Sequence, residues 1–330
     1  MQKCALVCGA GGFIGGHLVR RLVGEGYYVR GVDKHRSAFA PSAAQEFYTT
    51  DLRRESNCRA AVTIHGRPFD EVYQLSASMG GMGFIHANEC EIMHDNSLIN
   101  THMTHAAAEA GVGKYFFSSS ACVYPDQNDD EPELSEAQAE PMRPDNEYGL
   151  EKLWSERVLQ AYGRKFPMAI RVGRFQNTFG PDCAWRGGRE KAPAAICRKV
   201  AEAPDGGAIE IWGDGSAMRA YTYITDTLDG VRVLMTADPA QFTPATYQDL
   251  SLPFNIGRRE YISVAALAKM IAEIAGKDLK LKHIDGPVGV QNRGFRTDRI
   301  EALGWQSKVS LKEGLTQTYH WVEGQFRITP

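Results

Sequence analysis

The chain has 330 residues, of which 43% are hydrophobic and 23% charged, and its formal net charge is -3. This length and composition are typical of a globular protein with one extended domain or two closely joined domains. The charges are spread along the chain and no apolar run approaches the roughly 18 residues that a membrane helix needs, so we expect neither nucleic acid nor a membrane as partner.

The cysteines are odd in number and form neither a C-x-x-C pair nor a His/Cys spacing typical of zinc. They are Cys4, Cys8, Cys58, Cys90, Cys122, Cys183 and Cys197. A chain of this size does not need disulfides for stability. We therefore expect reduced thiols, no metal site and a cytoplasmic protein. The first eight residues lead straight into a glycine turn, which predicts a first strand rather than a signal peptide.

Short β-rich runs alternate with helical patterns through the first half of the chain. The predicted strands are Ala5–Cys8, Tyr28–Val32, Glu71–Leu75, Lys114–Ser118 and Met168–Val172. The predicted helices are Phe13–Gly24, Asn96–Ala110 and Tyr148–Phe166. This alternation predicts an α/β fold with a Rossmann-type doubly wound parallel sheet, in which ligands bind at the carboxyl ends of the strands.

After Gly180 the pattern loosens into loops that contain glycine and proline. A strand at Ile209–Trp212 and a helix at Ser263–Ala275 predict a smaller α/β substrate-binding lobe. The predicted boundaries are 1–177 plus about 217–236 for the dinucleotide domain, and 178–216 with 237–330 for the smaller lobe. A loop at 125–144, rich in Asp, Glu, Gln and Pro, is expected on the surface near the cleft.

A glycine-rich turn follows the first strand and opens the first helix. Its sequence is Gly9-Ala10-Gly11-Gly12-Phe13-Ile14-Gly15. Glycines at this spacing let the backbone turn sharply, approach a pyrophosphate and present helix N-terminal amides to it. The pattern predicts a dinucleotide site formed by Gly9, Gly12, Phe13, Ile14 and Gly15.

Two acidic positions follow later strands. Asp33 ends the second strand, where its carboxylate would accept hydrogen bonds from a ribose diol and repel a 2′-phosphate. This favours NAD as the cofactor, although the basic run Lys34 to Arg36 acts against the preference. Asp51 and Leu52 follow the third β-like run, where they bind the adenine edge or, alternatively, Asp51 caps a local turn.

Tyr148 and Lys152 are four residues apart, on one face of a predicted helix. An ammonium and a positive nicotinamide near the phenol would lower the pKa of Tyr148 and make it a usable base. Ser120, at the end of the strand-like run Phe116 to Ser120, would hydrogen-bond the same substrate hydroxyl and orient it. With the glycine turn, these residues resemble the extended short-chain dehydrogenase/reductase superfamily. The resemblance implies that Tyr148, Ser120 and Lys152 drive hydride transfer between a sugar carbon and NAD.

Five longer blocks carry a more specific signal: Met79 to Ile85, Ser118 to Pro125, Gly187 to Ala195, Trp212 to Gly215 and Leu303 to Trp305. They resemble the GDP-mannose 3,5-epimerase family, and the resemblance covers most of the chain. In that family oxidation at C4 of the sugar acidifies the C-H bonds at C3 and C5. Cys122 and Lys191 match the family's acid/base pair, and their reference pKa values of about 8.5 and 10.4 can be brought towards neutrality by burial and mutual interaction.

The resemblance also implies substrate contacts. Met79 and Gly80 would line the sugar pocket, Asn177 would reach the sugar or its phosphates, and Arg293 would grip the diphosphate with its guanidinium. Arg219 is a further candidate for substrate binding.

Three departures surround this pocket. Ser78 stands where the family has Asp, and Ala217 and Met218 replace Gln-Thr. The spacing between Arg293 and Asp298 is longer than in the family, which makes Arg296 an alternative to Arg293 as the diphosphate ligand. They leave the exact GDP-hexose, and inversion at C3, C5 or both, open.

Two alternatives remain. The same fold could serve another C3-, C5- or C4-epimerase or a 4,6-dehydratase, although a dehydratase typically needs an Asp-Glu pair where this chain has Ala121-Cys122. A non-catalytic NAD-binding regulatory protein is the more distant alternative, since such proteins usually lose the Tyr or Lys. Extra apolar residues on the predicted helices 96–110 and 148–166 indicate a homodimer through a four-helix bundle.

Overall fold

The computed structural model describes residues 2–125, 127, 133–144, 146–238, 252–286 and 294–328, with side chains as far as residue 326. A seven-stranded sheet forms its centre. In spatial order its strands are β12 (Phe254–Ile256), β8 (Ala169–Phe175), β7 (Lys114–Ser120), β6 (Glu71–Gln74), β1 (Cys4–Cys8), β2 (Tyr28–Asp33) and β3 (Glu46–Thr49). Every pairing in this sheet is parallel. The prediction of a Rossmann-type doubly wound sheet is confirmed.

Helices cover both faces of the sheet. The α-helices of the described residues are α1 (Phe13–Gly24), α2 (Glu55–Ala61), α3 (Met82–Ala87), α4 (Glu89–Ala110), α5 (Glu147–Lys165), α6 (Ala192–Glu202), α7 (Ile224–Thr236), α8 (Val264–Ile274), α9 (Asp298–Glu301) and α10 (Leu311–Ile328). Alternate residues of β1 belong to different cores: Leu6 packs on the side of α2, α4 and α5, and Val7 on the side of α1 and α7. Because both faces of β1 are covered, its sequence is uniformly apolar.

Three smaller sheets complete the fold. β10 (Ala208–Trp212) pairs with β14 (Lys280–Ile284), β11 (Met218–Tyr223) lies between β13 (Tyr261–Ser263) and β9 (Asn177–Phe179), and β4 (Thr63–Ile64) pairs with β5 (Arg67–Pro68). Apolar residues of α6, α8 and α10 join the core on the α1 side of the large sheet. β12 belongs to the large sheet, so the predicted assignment of 237–330 to the smaller lobe needs an exception there.

The predicted helix Phe13–Gly24 has its observed bounds, and the other predicted elements differ mainly at their ends. α4 begins at Glu89 rather than Asn96, because Ile92 is buried and extends its apolar face. β7 continues to Ser120, because its last residues pair with β8 as far as Phe175. The expected surface loop at 125–144 is anchored where it is described, since Leu134 and Ala139 are buried. Among the described residues, no helix has the length and apolar character that crossing a membrane requires.

Candidate active site

The glycine turn lies between β1 and α1 at the carboxyl edge of the sheet. Gly9 has φ +83°, and a Cβ at Gly11 would lie 2.0 Å from the backbone oxygen of His35. A Cβ at Gly15 would lie 2.0 Å from the oxygen of Gly9. In the described chain no side chain caps α1 at Gly12, so the first amides of the helix stay available to an anion. The turn fits a dinucleotide diphosphate.

Asp33 lies beside this turn at the end of β2. Its carboxylate accepts hydrogen bonds from the backbone N–H of Gly11 at 3.0 Å and of His35 at 3.2 Å. Phe13 and Ile14 pack their side chains against the core at the start of α1. The carboxylate therefore has a fixed place next to the glycine turn.

Asp51 has a local partner instead. Its carboxylate forms an ion pair with Arg53 at 2.6 Å and accepts the Arg53 backbone N–H at 3.0 Å. The hydrogen bond from the Arg53 side chain is the main reason that the pKa of Asp51 falls to about 2. Leu52 is buried in the core. These contacts favour the interpretation of Asp51 as part of a turn rather than as an adenine ligand.

Ser120, Tyr148 and Lys152 meet at the ends of β7 and α5. The Ser120 hydroxyl hydrogen-bonds the Tyr148 phenol, and it also accepts the backbone N–H of Cys122 at 3.2 Å. The Lys152 ammonium is buried over the Tyr148 ring, 5.6 Å from its centroid, and 4.6 Å from the centroid of the Phe117 ring. The three predicted catalytic side chains are therefore brought together.

The electrostatics of this group differ from the expectation. Burial raises the pKa of Tyr148, and negative charge on Cys122 and Glu151 adds to the rise, while the Ser120 hydrogen bond opposes it. Burial also lowers the pKa of Lys152. The groups of the chain thus favour the neutral phenol of Tyr148. The reason is that the desolvation cost of a phenolate is larger than the stabilisation that the neighbouring side chains give it. A lower pKa for Tyr148 requires additional positive charge at the site.

Gly149 explains how α5 reaches Cys122. A Cβ at Gly149 would lie 1.9 Å from the backbone oxygen of Cys122, and the backbone N–H of Gly149 donates to the helix-capping side chain of Asn146 at 2.9 Å. Only glycine permits this approach. It brings Tyr148 against the short 3₁₀ helix Ala121–Val123. Gly149 lies inside the Tyr-x-x-x-Lys pattern, directly after Tyr148, but its contact with Cys122 could not be seen in the sequence.

Cys122 and Lys191 belong to the same site. Cys122 is half-buried and packs against the cluster of Ile85, Ile92 and Tyr148, together with Met79. Lys191 immediately precedes α6, and loss of water lowers its pKa, while negative charge on Cys122 and Cys183 opposes that change. The two predicted acid/base groups therefore lie within each other's electrostatic field, and Cys122 also lies next to the Tyr148 phenol.

Asn96 holds the loop before Met79 in place, a contact that the sequence analysis missed. Its buried side chain accepts the backbone N–H of Ser78 at 2.6 Å and donates to the backbone oxygen of Ser78 at 3.1 Å. These two bonds fix the backbone that leads into Met79 and Gly80. The polar residue inside α4 was the only signal for this contact.

Two of the remaining predicted substrate residues, Asn177 and Arg219, lie in the neighbouring β9–β11 region. The Asn177 side chain donates to the backbone oxygen of Ala220 at 3.1 Å, and Arg219 in β11 donates to the backbone oxygen of Met218 at 2.7 Å. Arg293 lies outside the described residues. Arg296 is exposed and pairs with Asp298.

A diphosphate-binding turn and a Ser-Tyr-Lys group at the carboxyl edge of one parallel sheet define a dinucleotide-dependent enzyme of the extended short-chain dehydrogenase/reductase type. Residues 5–248 match the NAD dependent epimerase/dehydratase family, and the chain belongs to that family. The sequence-based predictions of the superfamily and of an NAD-dependent epimerase are confirmed.

Individual named proteins are similar to the chain over nearly its whole length. The chain is 40% identical to GDP-mannose 3,5-epimerase 1 of Oryza sativa subsp. indica over 324 residues, which cover 97% of this chain and 81% of that protein. It is also 40% identical to GDP-mannose 3,5-epimerase of Arabidopsis thaliana, covering 97% and 82%. A crystal structure of UDP-glucose 4-epimerase from Thermotoga maritima superposes with a TM-score of 0.84 at 24% identity, covering 98% and 99%. That likeness shows a shared fold.

Proposed function

We propose that the protein is a GDP-mannose 3,5-epimerase. It oxidises the sugar transiently at C4, inverts C3, C5 or both through the 4-keto sugar, and reduces C4 again. The observation that carries the proposal is that Cys122 lies beside Ser120 and Tyr148 and interacts electrostatically with Lys191. The 40% identity to two GDP-mannose 3,5-epimerases supports this nucleotide sugar as the substrate.

The residues that would hold NAD are those of the glycine turn and Asp33. The N-terminal amides of α1 would receive its diphosphate and the Asp33 carboxylate a ribose diol. When bound, NAD supplies the hydride acceptor and donor and, in its oxidised form, a positive charge near the phenol. Tyr148 takes the proton of the sugar C4 hydroxyl and later returns it, Ser120 orients that hydroxyl, and Lys152 supplies a buried positive charge over the Tyr148 ring.

Cys122 and Lys191 carry the inversion. The C4 ketone acidifies the neighbouring C-H bonds, and the Cys122 thiolate removes one proton from one face of the ring. The Lys191 ammonium delivers a proton to the opposite face, so one C-H bond breaks and another forms. The desolvation that lowers the pKa of Lys191 makes its ammonium a stronger acid than an exposed lysine. Dehydration or inversion at C4 alone would leave this pair without a role.

Met79 and Gly80, on the loop fixed by Asn96, would line the sugar pocket. We assign Asn177 and Arg219 to the phosphate-bearing part of the substrate because they share the β9–β11 region. Arg293 stays our candidate for the diphosphate, because Arg296 already has a carboxylate partner in Asp298. Residues 1–177 with 217–236 would bind NAD, and 178–216 with 237–330, β12 excepted, the nucleotide sugar.

We further propose a homodimer formed through α4 and α5. Leu150, Trp154 and Val158 recur at four-residue spacing on the outward side of α5, and 41% of Trp154 is exposed. An apolar stripe of this kind suits a helix-to-helix interface. Solution scattering should give twice the chain mass, and W154E should give the monomer; a monomeric wild type at micromolar concentration would contradict this proposal.

We also propose a cytoplasmic location. The unpaired state of all seven thiols, each within the described residues, supports it.

The test of the proposed reaction uses GDP-α-D-mannose and catalytic NAD in deuterium oxide, with the sugar protons followed by NMR. Deuterium at C3 and C5, with galactose- or gulose-configured products, is the expected result. Exchange at one carbon alone narrows the reaction to a single-site epimerase. Absence of exchange, for a preparation that binds NAD, rules out GDP-mannose as the substrate.

A further inference from the structure

Two loops from different parts of the chain touch beside the site. The backbone N–H of Gly81, at the start of α3, donates to the backbone oxygen of Arg189 at 3.2 Å. The Arg189 guanidinium lies over the Phe84 ring, 4.2 Å from its centroid. The loop that carries Met79 and Gly80 is thus joined to the loop that leads into Lys191.

Gly81 is required for space rather than for backbone conformation. Its φ of -67° and ψ of 172° are open to any residue. A Cβ at this position, however, would lie 2.7 Å from the backbone oxygen of Glu190, which is closer than unbonded carbon and oxygen atoms approach. By contrast, Gly187 and Gly188 have positive φ values of 93° and 86° but no atoms within 4 Å of an added Cβ.

The contact bears directly on Lys191. Glu190, whose oxygen meets Gly81, is the residue before Lys191, and the Lys191 carbonyl accepts the Ala195 N–H at 3.0 Å as α6 begins. A side chain at position 81 that displaces the Glu190 carbonyl oxygen would therefore also displace the backbone of Lys191. Among the described residues, the atoms that an added Gly81 Cβ would meet within 4 Å are the carbonyl oxygen and carbon of Glu190, and none belongs to Ser120, Cys122 or Tyr148.

We propose that Gly81 is a positioning residue, which sets the place from which Lys191 delivers its proton to the sugar. This inference rests on the proposed epimerase reaction. It assigns a purpose to Gly81 that is separate from sugar contact: glycine lets the Lys191 loop lie close enough to act opposite Cys122.

The test compares G81A with wild type, with K191A and with G324A as the matched control, since an added Cβ at Gly324 meets nothing within 4 Å. Each variant receives GDP-mannose and NAD in deuterium oxide. With Lys191 displaced, Cys122 still removes and returns a proton on one face. G81A should therefore resemble K191A: deuterium still enters unreacted GDP-mannose, while the ratio of inversion to this exchange falls about tenfold to a hundredfold.

Two results would overturn the inference: inversion at the wild-type rate in G81A, or exchange and inversion reduced by the same factor. G324A should keep the wild-type ratio.

A second measurement does not depend on the substrate. Trace acetylation of Lys191, read by mass spectrometry against pH, should show in G81A a midpoint closer to the ordinary lysine value than in wild type. R189A, which removes the contact with Phe84, should move the midpoint the same way by less. Unchanged labelling in both variants would also overturn the inference. Lack of exchange in wild type, with shifted labelling in G81A, would reject GDP-mannose and keep the positioning of Lys191.

Discussion

The two halves of the site are built differently. In the proposed reaction the redox half consists of the glycine turn, Ser120 and the Tyr148–Lys152 pair, all at ends of regular elements around one sheet. The proposed inverting half pairs Cys122 with Lys191, and the loop before Lys191 meets the loop of Met79 and Gly80 at Gly81. The first half follows from local patterns, whereas the second depends on tertiary packing. Mutations should accordingly separate oxidation from inversion.

The two halves nevertheless share an electrostatic feature. Burial lowers the pKa of Lys152 in the redox half and of Lys191 in the inverting half. Each ammonium is therefore held at a cost in stability, which is consistent with a functional rather than a structural purpose for both.

The largest effect is expected for Y148F, which removes the phenolic proton carrier. Loss of a positioned acid/base group typically costs about 10² to 10⁴ in rate, and here both oxidation and inversion should fall together. The measurement is product formation by NMR, with NAD affinity measured alongside. Y48F, which changes a tyrosine at the β3 edge that is 40% exposed, should stay within about twofold of wild type. Activity of Y148F within about twofold of wild type, as for Y48F, would show that Tyr148 does not carry the proton in the redox step.

The glycine turn offers a closely matched pair. A Cβ at Gly15 would lie 2.0 Å from the Gly9 oxygen, but one at Gly16 would lie 3.7 Å from the Ala10 oxygen, which is an ordinary contact. G15A should weaken NAD binding about tenfold or more and destabilise the fold by about 1–3 kcal/mol. G16A should leave both nearly unchanged. Titration calorimetry measures the NAD affinity of both variants, and thermal unfolding measures their stability. Equal losses in G15A and G16A would contradict a specific purpose for Gly15.

The smallest effect concerns stability and pH at Lys191. Because its folded-state pKa lies below the ordinary value of 10.5, the unfolded chain binds more protons between those values, and stability rises with pH in that window. At neutral pH the partly desolvated ammonium of Lys191 therefore destabilises the fold. K191M should raise Tm at pH 7, and the difference in Tm from wild type should shrink towards pH 10.5. K269M, at an exposed lysine, should not raise Tm at pH 7. A constant difference across pH would contradict the desolvation of Lys191.

The sheet, the glycine turn and the Ser-Tyr-Lys group were predictable because their signals are local. The place of Ser120 at the end of a strand was likewise predictable, and its pairing with Phe175 of β8 agrees with it. The clamp of Asn96 on Ser78 and the approach of Gly81 to Glu190 join residues from different elements. The raised pKa of Tyr148 likewise depends on burial that only the fold determines.

The separation of the two halves is tested most directly with C122A. The variant is mixed rapidly with NAD and GDP-mannose in deuterium oxide, and the absorbance of reduced nicotinamide and the deuterium content of the sugar are followed together. Reduced nicotinamide should form while deuterium at C3 and C5 falls by about 10² or more. Epimerisation at the wild-type rate, or loss of nicotinamide reduction to the level of Y148F, would contradict the division of the site.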